Sequence, residues 1–202
     1  MFAKRIFDVI LSLLFLLVLA PLIALIAALV RLSSKGPVIF KQKRVGIMKK
    51  IFTMYKFRTM YLGAGRRQKE FLFLNEANGP VFKITNDPRY TKFGKLLAHT
   101  GLDELPQLVN VISGQMSLVG PRPLPIDEAK KVPDKYKERF SVLPGITSSW
   151  IVKGSHKMAF DDWMKLDLDY IKDWSLWRDI RILYLTWPLM LKWICKSIFF
   201  WL

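Results

Sequence analysis

Asp103 and Glu104 stand side by side in Gly101 to Gly114, which reads as a helix of two to three turns. Pro106 falls in its first turn and Gly114 just past its end. Adjacent acids at a helix start have two uses. They can cap free amides and sit at the positive end of the dipole. Alternatively, one is a nucleophilic carboxylate and the other handles a metal or a proton. A helix N-terminus also attracts phosphate. An anionic substrate could then lie beside a carboxylate, with a divalent cation relieving the repulsion.

Arg122 lies between Pro121 and Pro123. Two prolines fix the backbone, so the guanidinium is either pre-organised for bidentate phosphate binding or simply exposed on a structural loop. Lys56 and Arg58 fall with Met54 and Met60 on one face of a strand by period two. That pair either clamps phosphate or is solvated. Phosphate loops of the GxxxxGK[ST] and GxGxxG types are absent. His99 and His156 support no catalytic triad and read as packing or surface residues. The single Cys195 excludes an internal disulfide framework and a Cys-rich zinc module.

The elements that must position these residues belong to a chain both apolar and cationic. Its 202 residues carry a formal charge of +16 and are 51% hydrophobic, too apolar for a disordered basic tail. Partners are expected to be anionic. Residues 1–69 hold fourteen Lys or Arg against one acid, Asp8. Val9 to Val30 is uncharged for 22 residues, the length of a transmembrane helix. A cleaved signal peptide fits less well, because that apolar run is too long. Cations flank the run on both sides: Lys4 and Arg5 before it, Arg31, Lys35, Lys41, Lys43 and Arg44 after it. The positive-inside rule places both ends in the cytoplasm. Pro21, near the middle, would bend the helix into a re-entrant hairpin. An ordinary kinked span is the alternative.

Val38 to Met60 has the composition of two strands with a turn around Gly46 to Lys50. Gly63 to Lys69 reads as a polar mobile loop. Asn78-Gly79-Pro80 and Asn86-Asp87-Pro88 signal turns. Thr91 to His99 reads as a short helix, Gln115 to Pro123 as a rigid loop, and Pro125 to Phe140 as a charged helical stretch. Pro144-Gly145 opens another loop. Trp163, Leu166 and Tyr170 share a helical face. All seven tryptophans lie from Trp150 onward. Ile180 to Leu202, interrupted by Pro188, combines Trp and Lys as a helix at the membrane–water interface does; a second span is the alternative. The expected organisation is a membrane helix over 1–35, a catalytic core over 36–179, and an apolar aromatic segment over 180–202.

Several stretches together resemble the monotopic polyprenyl-phosphate phosphoglycosyl transferases, the bacterial sugar transferase family. They are Lys4-Arg5-Ile6-Phe7-Asp8, Gly36 to Gly46, Tyr55-Lys56-Phe57-Arg58-Thr59-Met60 and Leu102-Asp103-Glu104-Leu105-Pro106-Gln107-Leu108. Met116 to Pro123, Pro144-Gly145-Ile146-Thr147 and Leu166-Asp167-Leu168-Asp169-Tyr170-Ile171 complete the set, in family order. The chain resembles the minimal catalytic form. Ala20-Pro21 stands where members often carry Ser-Pro, and Ser148 and Gly154-Ser155-His156 replace the family's glycine and later Gly-Arg.

The resemblance implies a mostly helical α/β, membrane-associated fold. It would have a re-entrant N-terminal helix, a short β-hairpin and amphipathic interfacial helices around a compact core. That core would lie on the cytoplasmic face of the bacterial inner membrane. It implies transfer of a sugar-1-phosphate from a UDP-sugar to polyprenyl (undecaprenyl) phosphate with release of UMP, initiating glycoconjugate or polysaccharide synthesis. Asp103 would be the nucleophile, Glu104 its partner, both would hold Mg²⁺, and Arg122 would bind phosphate. Phospholipid is an expected partner and nucleic acid is not, because the tryptophans lie away from the basic cluster. A non-catalytic adaptor binding anionic lipid is the rival class.

Overall fold

The computed structural model describes residues 2–77, 79–154 and 158–199. The chain bends by 64° between helices α1 (Phe2–Val18) and α2 (Ala20–Ser33). The bend has a local cause. Pro21 lies in the first turn of α2 and has no N–H to continue the ladder from α1. Leu19 N–H still reaches Phe15 O, and Ile23 N–H reaches Leu19 O, both at 2.8 Å. Among the described residues no single helix is long and apolar enough to cross a membrane; the bent pair reaches that length and apolarity only as the two helices together.

Both ends of the pair are bonded to the same body. At the α1 end, Lys4 donates to Val119 O (3.2 Å) and Asp179 Oδ2 (2.5 Å), and Asp8 Oδ1 accepts from Leu118 N–H. Arg5 caps the last carbonyls of α4 (Gln107–Ile112), donating to Val111 O at 2.6 Å and Ile112 O at 2.8 Å. At the α2 end, Ile26 and Val30 bury against Phe57 and Leu97. Between these anchors Leu13, Leu14, Leu17 and Val18 are exposed.

Strands β1 (Ile39–Val45) and β2 (Ile51–Phe57) form the expected hairpin across 46–50, with Arg44 opposite Phe52, Gln42 opposite Met54 and Phe40 opposite Lys56. Directly opposed residues share a sheet face. Gln42, Arg44, Met54 and Lys56 therefore lie on one side. Residues 66–74 form 3₁₀ turns rather than a plain loop. Buried Arg89 ties the stretch beyond them, donating to both Asp87 carboxylate oxygens and to Ala64 O. Of the two expected turns, Asn78 lies outside the described residues.

Helix α3 (Lys92–Thr100) is capped by Thr91, whose hydroxyl accepts from Gly94 N–H. It ends at Gly101, which adopts φ 75°, a left-handed conformation open to glycine. The single expected helix is in fact two pieces, a 3₁₀ turn (Leu102–Glu104) and then α4. Pro106 supplies no donor to the junction.

The expected loops at 115–123 and 144–147 are partly strands. β3 (Ser117–Val119) pairs in parallel with β5 (Gly145–Thr147), and β4 (Leu124–Pro125) adds to the edge of β1. A Cβ on Gly145 would stand 2.1 Å from Gly120 N, so these backbones meet where no side chain fits. The charged stretch divides into α5 (Ile126–Ala129) and 3₁₀ turns over Asp134–Phe140, since Pro133 breaks it. After α6 (Ser149–Val152), α7 (Phe160–Lys172) buries Trp163, Met164 and Tyr170, with Leu166 half-buried.

Helix α8 (Leu176–Phe199) starts before Ile180 and runs through Pro188 without interruption. Its first turns join the core through Ile182 and through Asp179, which accepts from Tyr170 Oη (2.7 Å) and Trp174 Nε1 (3.1 Å). The result is a mostly helical α/β fold with two small sheets.

One side chain sets the distance between the hairpin and α4. Asn110 is 0% exposed, and its carboxamide acts as a substitute strand for β2. Oδ1 accepts from Tyr55 N–H at 3.1 Å; Nδ2 donates to Thr53 O and Gln115 Oε1, both at 2.7 Å. Replacing Asn110 with Leu leaves two backbone groups of β2 unpaired. Thermal or urea unfolding of Asn110→Leu should show a loss on the order of 2–4 kcal/mol; a loss near zero would mean that β2 is held by other contacts.

Candidate active site

Asp103 and Glu104 emerge from the 3₁₀ turn after Gly101 and are largely withdrawn from water. Lys56, from the β2 face described above, reaches both. Its Nζ donates to Glu104 Oε1 at 2.6 Å and lies 3.6 Å from Asp103 Oδ2. Arg122 Nη2 is 3.6 Å from the same Glu104 oxygen. Burial works against the charged form of Glu104, but Lys56 and Arg122 together outweigh it and hold its carboxyl well below the usual range. Burial is the largest influence on Asp103 and pushes its carboxyl up; Lys56 opposes this and the Glu104 charge adds to it.

The loop that carries Arg122 is pinned through its carbonyls. Pro121 O accepts from Gly145 N–H (2.9 Å), Arg122 O from Arg139 Nη2 (3.0 Å) and Pro123 O from Arg44 Nη1 (3.0 Å). Arg139 is itself fixed by Asp167, at 2.8 and 3.1 Å. The Arg122 guanidinium lies 5.7 Å from the Trp150 ring centre, and Trp150 stacks on Trp163 at 4.8 Å. The guanidinium thus lies between the Trp150 ring and the Glu104 carboxylate.

Further cations converge here. Burial lowers Arg44 to about 10, with the Arg122 charge adding to the effect. Burial likewise lowers Lys83 to about 8, again with Arg122 contributing. Tyr90 is pushed up to about 12, by burial first and then by the Asp103 charge. Glu104 and the cations Arg44, Lys56 and Arg122 line a narrow cleft beside Asp103, a setting suited to a phosphorylated ligand.

This arrangement sits inside a sequence match to the bacterial sugar transferase family that runs over residues 1–193. The chain belongs to that family. It is 43% identical over 185 residues to the galactosyl transferase CpsE of Streptococcus agalactiae, covering 91% of this chain and 41% of that protein. It is 39% identical over 199 residues to the undecaprenyl-phosphate galactose phosphotransferase of Salmonella typhimurium (95% and 41%). A third relative is the UDP-glucose:undecaprenyl-phosphate glucose-1-phosphate transferase of Escherichia coli, 39% identical over 192 residues (91% and 39%). The chain thus spans about two-fifths of the length of these relatives.

Within this family member, Asp103, Glu104, Lys56 and Arg122 come together as a single cluster. Arg58 does not join it. Strand β2 ends at Phe57, so the period-two pattern that aligned Lys56 with Arg58 stops between them. Arg58 turns to the end of α2, where Nη2 donates to Ser34 O (2.7 Å), Ser34 Oγ (3.0 Å) and Val30 O (3.3 Å). Gly36 leaves the room it needs: a Cβ there would stand 2.3 Å from Arg58 Nη1. Pro21 lies at the helix bend, as described. His99 Nε2 donates to Thr85 O (2.8 Å), and His156 lies outside the described residues.

Arg44, Lys83, Asn110 and Trp150 were not singled out from the sequence. For Arg44 a signal existed. A hairpin closed by 46–50 sets residue 44 opposite 52, and so onto the Lys56 face. Lys83 arrives through irregular chain, and Trp150 on α6, a four-residue helix too short to show a periodicity.

Arg58 and Lys56 should therefore separate experimentally. Arg58→Gln should cost about 1–3 kcal/mol of stability by stripping donors from buried helix-end carbonyls, while turnover per folded molecule persists. Lys56→Gln should abolish most turnover. An unchanged unfolding midpoint with a tenfold loss of turnover in Arg58→Gln would place Arg58 at the substrate instead.

Proposed function

We propose that the chain transfers a sugar-1-phosphate from a UDP-sugar to polyprenyl phosphate, undecaprenyl phosphate in bacteria, releasing UMP through a covalent aspartyl intermediate. The observation that carries this reading is the buried Asp103–Glu104 pair with Lys56 and Arg122 closed upon it. The names of the relatives, which include a UDP-glucose donor and an undecaprenyl-phosphate acceptor, support the same substrates.

In the first step an Asp103 carboxylate oxygen attacks the phosphorus that bears the sugar. The new O–P bond forms as the bond to the bridging oxygen breaks, and UMP leaves with the electron pair. In the second, an oxygen of polyprenyl phosphate attacks the same phosphorus and expels the Asp103 carboxylate. Polyprenyl diphosphate-sugar results and the side chain is regenerated. Glu104 remains charged and holds Lys56 and Arg122 where negative charge gathers on the phosphoryl oxygens. Burial of Asp103 strips water from its attacking oxygen, and Lys56 opposes its protonation. Asp103 and Glu104 offer hard oxygen ligands, so together with substrate oxygens they suit Mg²⁺, which commonly takes one or two carboxylates plus phosphates. Bound there, the ion would offset charge on the diphosphate.

The bent helix pair enters and leaves the membrane on the cytoplasmic face in this reading, and phospholipid surrounds the bend. What supports it is the bonding of both helix ends to one body, the cations at both ends and the apolar side chains exposed between. Arms of 17 and 14 residues are about 25 and 21 Å long. With both ends level and a 64° bend, the bend lies roughly 10–15 Å deep, short of the far side of a ~30 Å core.

Two experiments test the proposal. Intact-protein mass spectrometry after mixing with a panel of UDP-sugars and MgCl₂ should show a sugar-phosphate adduct that maps to Asp103 before any acceptor is added. Asp103→Asn should lose adduct and turnover; Glu104→Gln should impair turnover without moving the attachment. An adduct on Glu104, or full turnover by Asp103→Asn, overturns these roles. A chain that binds anionic vesicles and releases no UMP from any donor is an adaptor instead.

The second experiment addresses topology. With the exposed Cys195 replaced by Ser, single cysteines introduced at positions 2 and 35 should be labelled from the same side of sealed vesicles. Labelling from opposite sides would make the helix pair a span.

A further inference from the structure

Gln107 opens α4 three residues after Glu104, and it is 1% exposed. Its side chain lines the narrow cleft shared with Arg44, Lys56, Glu104 and Arg122. The cations of that cleft have protein partners. Lys56 donates to Glu104, Arg122 lies against the same carboxylate, and Arg44 donates to Gln42 Oε1 and Pro123 O. Gln107 Nε2 is buried and has no hydrogen-bond partner among the described residues.

Asn110, one turn along the same short helix, makes the contrast. It is as deeply buried, yet it spends both ends of its carboxamide on β2 and Gln115. A buried donor left unmade carries a penalty that an apolar side chain of the same size would avoid. Its position says what would meet it. Three cationic side chains border the cleft, so an incoming acceptor is an anionic oxygen. A neutral amide adds a donor there without adding to the repulsion between Arg44 and Arg122.

We propose that Gln107 Nε2 donates a hydrogen bond to a phosphoryl oxygen of the sugar-nucleotide diphosphate, making Gln107 a substrate-binding residue beside Lys56 and Arg122. The inference rests on the transfer reaction proposed above. It is tested with the full chain in detergent and two variants, Gln107→Met and Gln107→Glu. Methionine keeps the volume and removes the unmade donor. Its unfolding midpoint should equal or exceed that of the unsubstituted chain, while kcat/KM for the active UDP-sugar falls tenfold or more. Gln107→Glu places a further negative charge near Glu104 and should fall lower still.

A third readout is independent of turnover. Pyrophosphate with MgCl₂ should raise the unfolding midpoint of the unsubstituted chain, and Gln107→Met should lose most of that rise. A lowered midpoint in Gln107→Met without ligand would assign the side chain a structural role and overturn the proposal. Unchanged kcat/KM, or an undiminished pyrophosphate response, would also overturn it. If the unsubstituted chain releases no UMP from any donor, the transfer reaction fails; a pyrophosphate response that depends on Gln107 would then still identify it as an anion ligand.

Discussion

Two carboxylates adjacent in the chain and withdrawn together from water repel each other, and each also loses hydration. Such a pair persists only where cations are delivered at short range. Lys56 is the decisive one, because a single ammonium lies 2.6 Å from Glu104 and 3.6 Å from Asp103. Its position follows from the register of the β1–β2 hairpin and from Asn110, which hydrogen-bonds that hairpin to α4. The Arg122 loop is the matching constraint from the other side. Its three carbonyls are held by a strand amide and two arginines, so the backbone that carries the second cation is fixed. The site is thus built by backbone positions that lie far apart in the chain.

What the sequence made legible was local. The hairpin between Val38 and Met60, the helix capped by Thr91, the bend near Pro21 and the Asp103–Glu104 and Arg122 motifs can be read from turn residues, caps and prolines. What local pattern does not show depends on partners distant in the chain. Residues 117–119 and 145–147 are too short to show periodicity, and they become strands only because each finds the other. Arg58 obeys period two only if the strand continues, and it stops one residue earlier. Pro188 reads as a break but sits within a continuous α8. Gln107 and Asn110 look alike on paper; only their surroundings show that one is satisfied and the other is not.

The stretches that first suggested the family acquire structural jobs. Lys4, Asp8 and Tyr170 converge with Asp179 on the β3 backbone, a buried polar network whose members hold one another. Asp167 neutralises Arg139, which in turn holds the Arg122 carbonyl. Groups outside the cleft thereby hold the backbone that carries one of its cations.

The same anchors give the N-terminal helices a mechanical character. A helix pair bonded at one end would swing about its attachment as a lever on a hinge. Here Lys4, Arg5 and Asp8 fasten one end, while Val30 and Ser34 fasten the other through Arg58. The two helices and the body between their feet form a triangle, and a triangle with rigid sides cannot shear. A tilt imposed on the bend is therefore a tilt of the whole molecule, and the carboxylate pair follows it as part of the same truss.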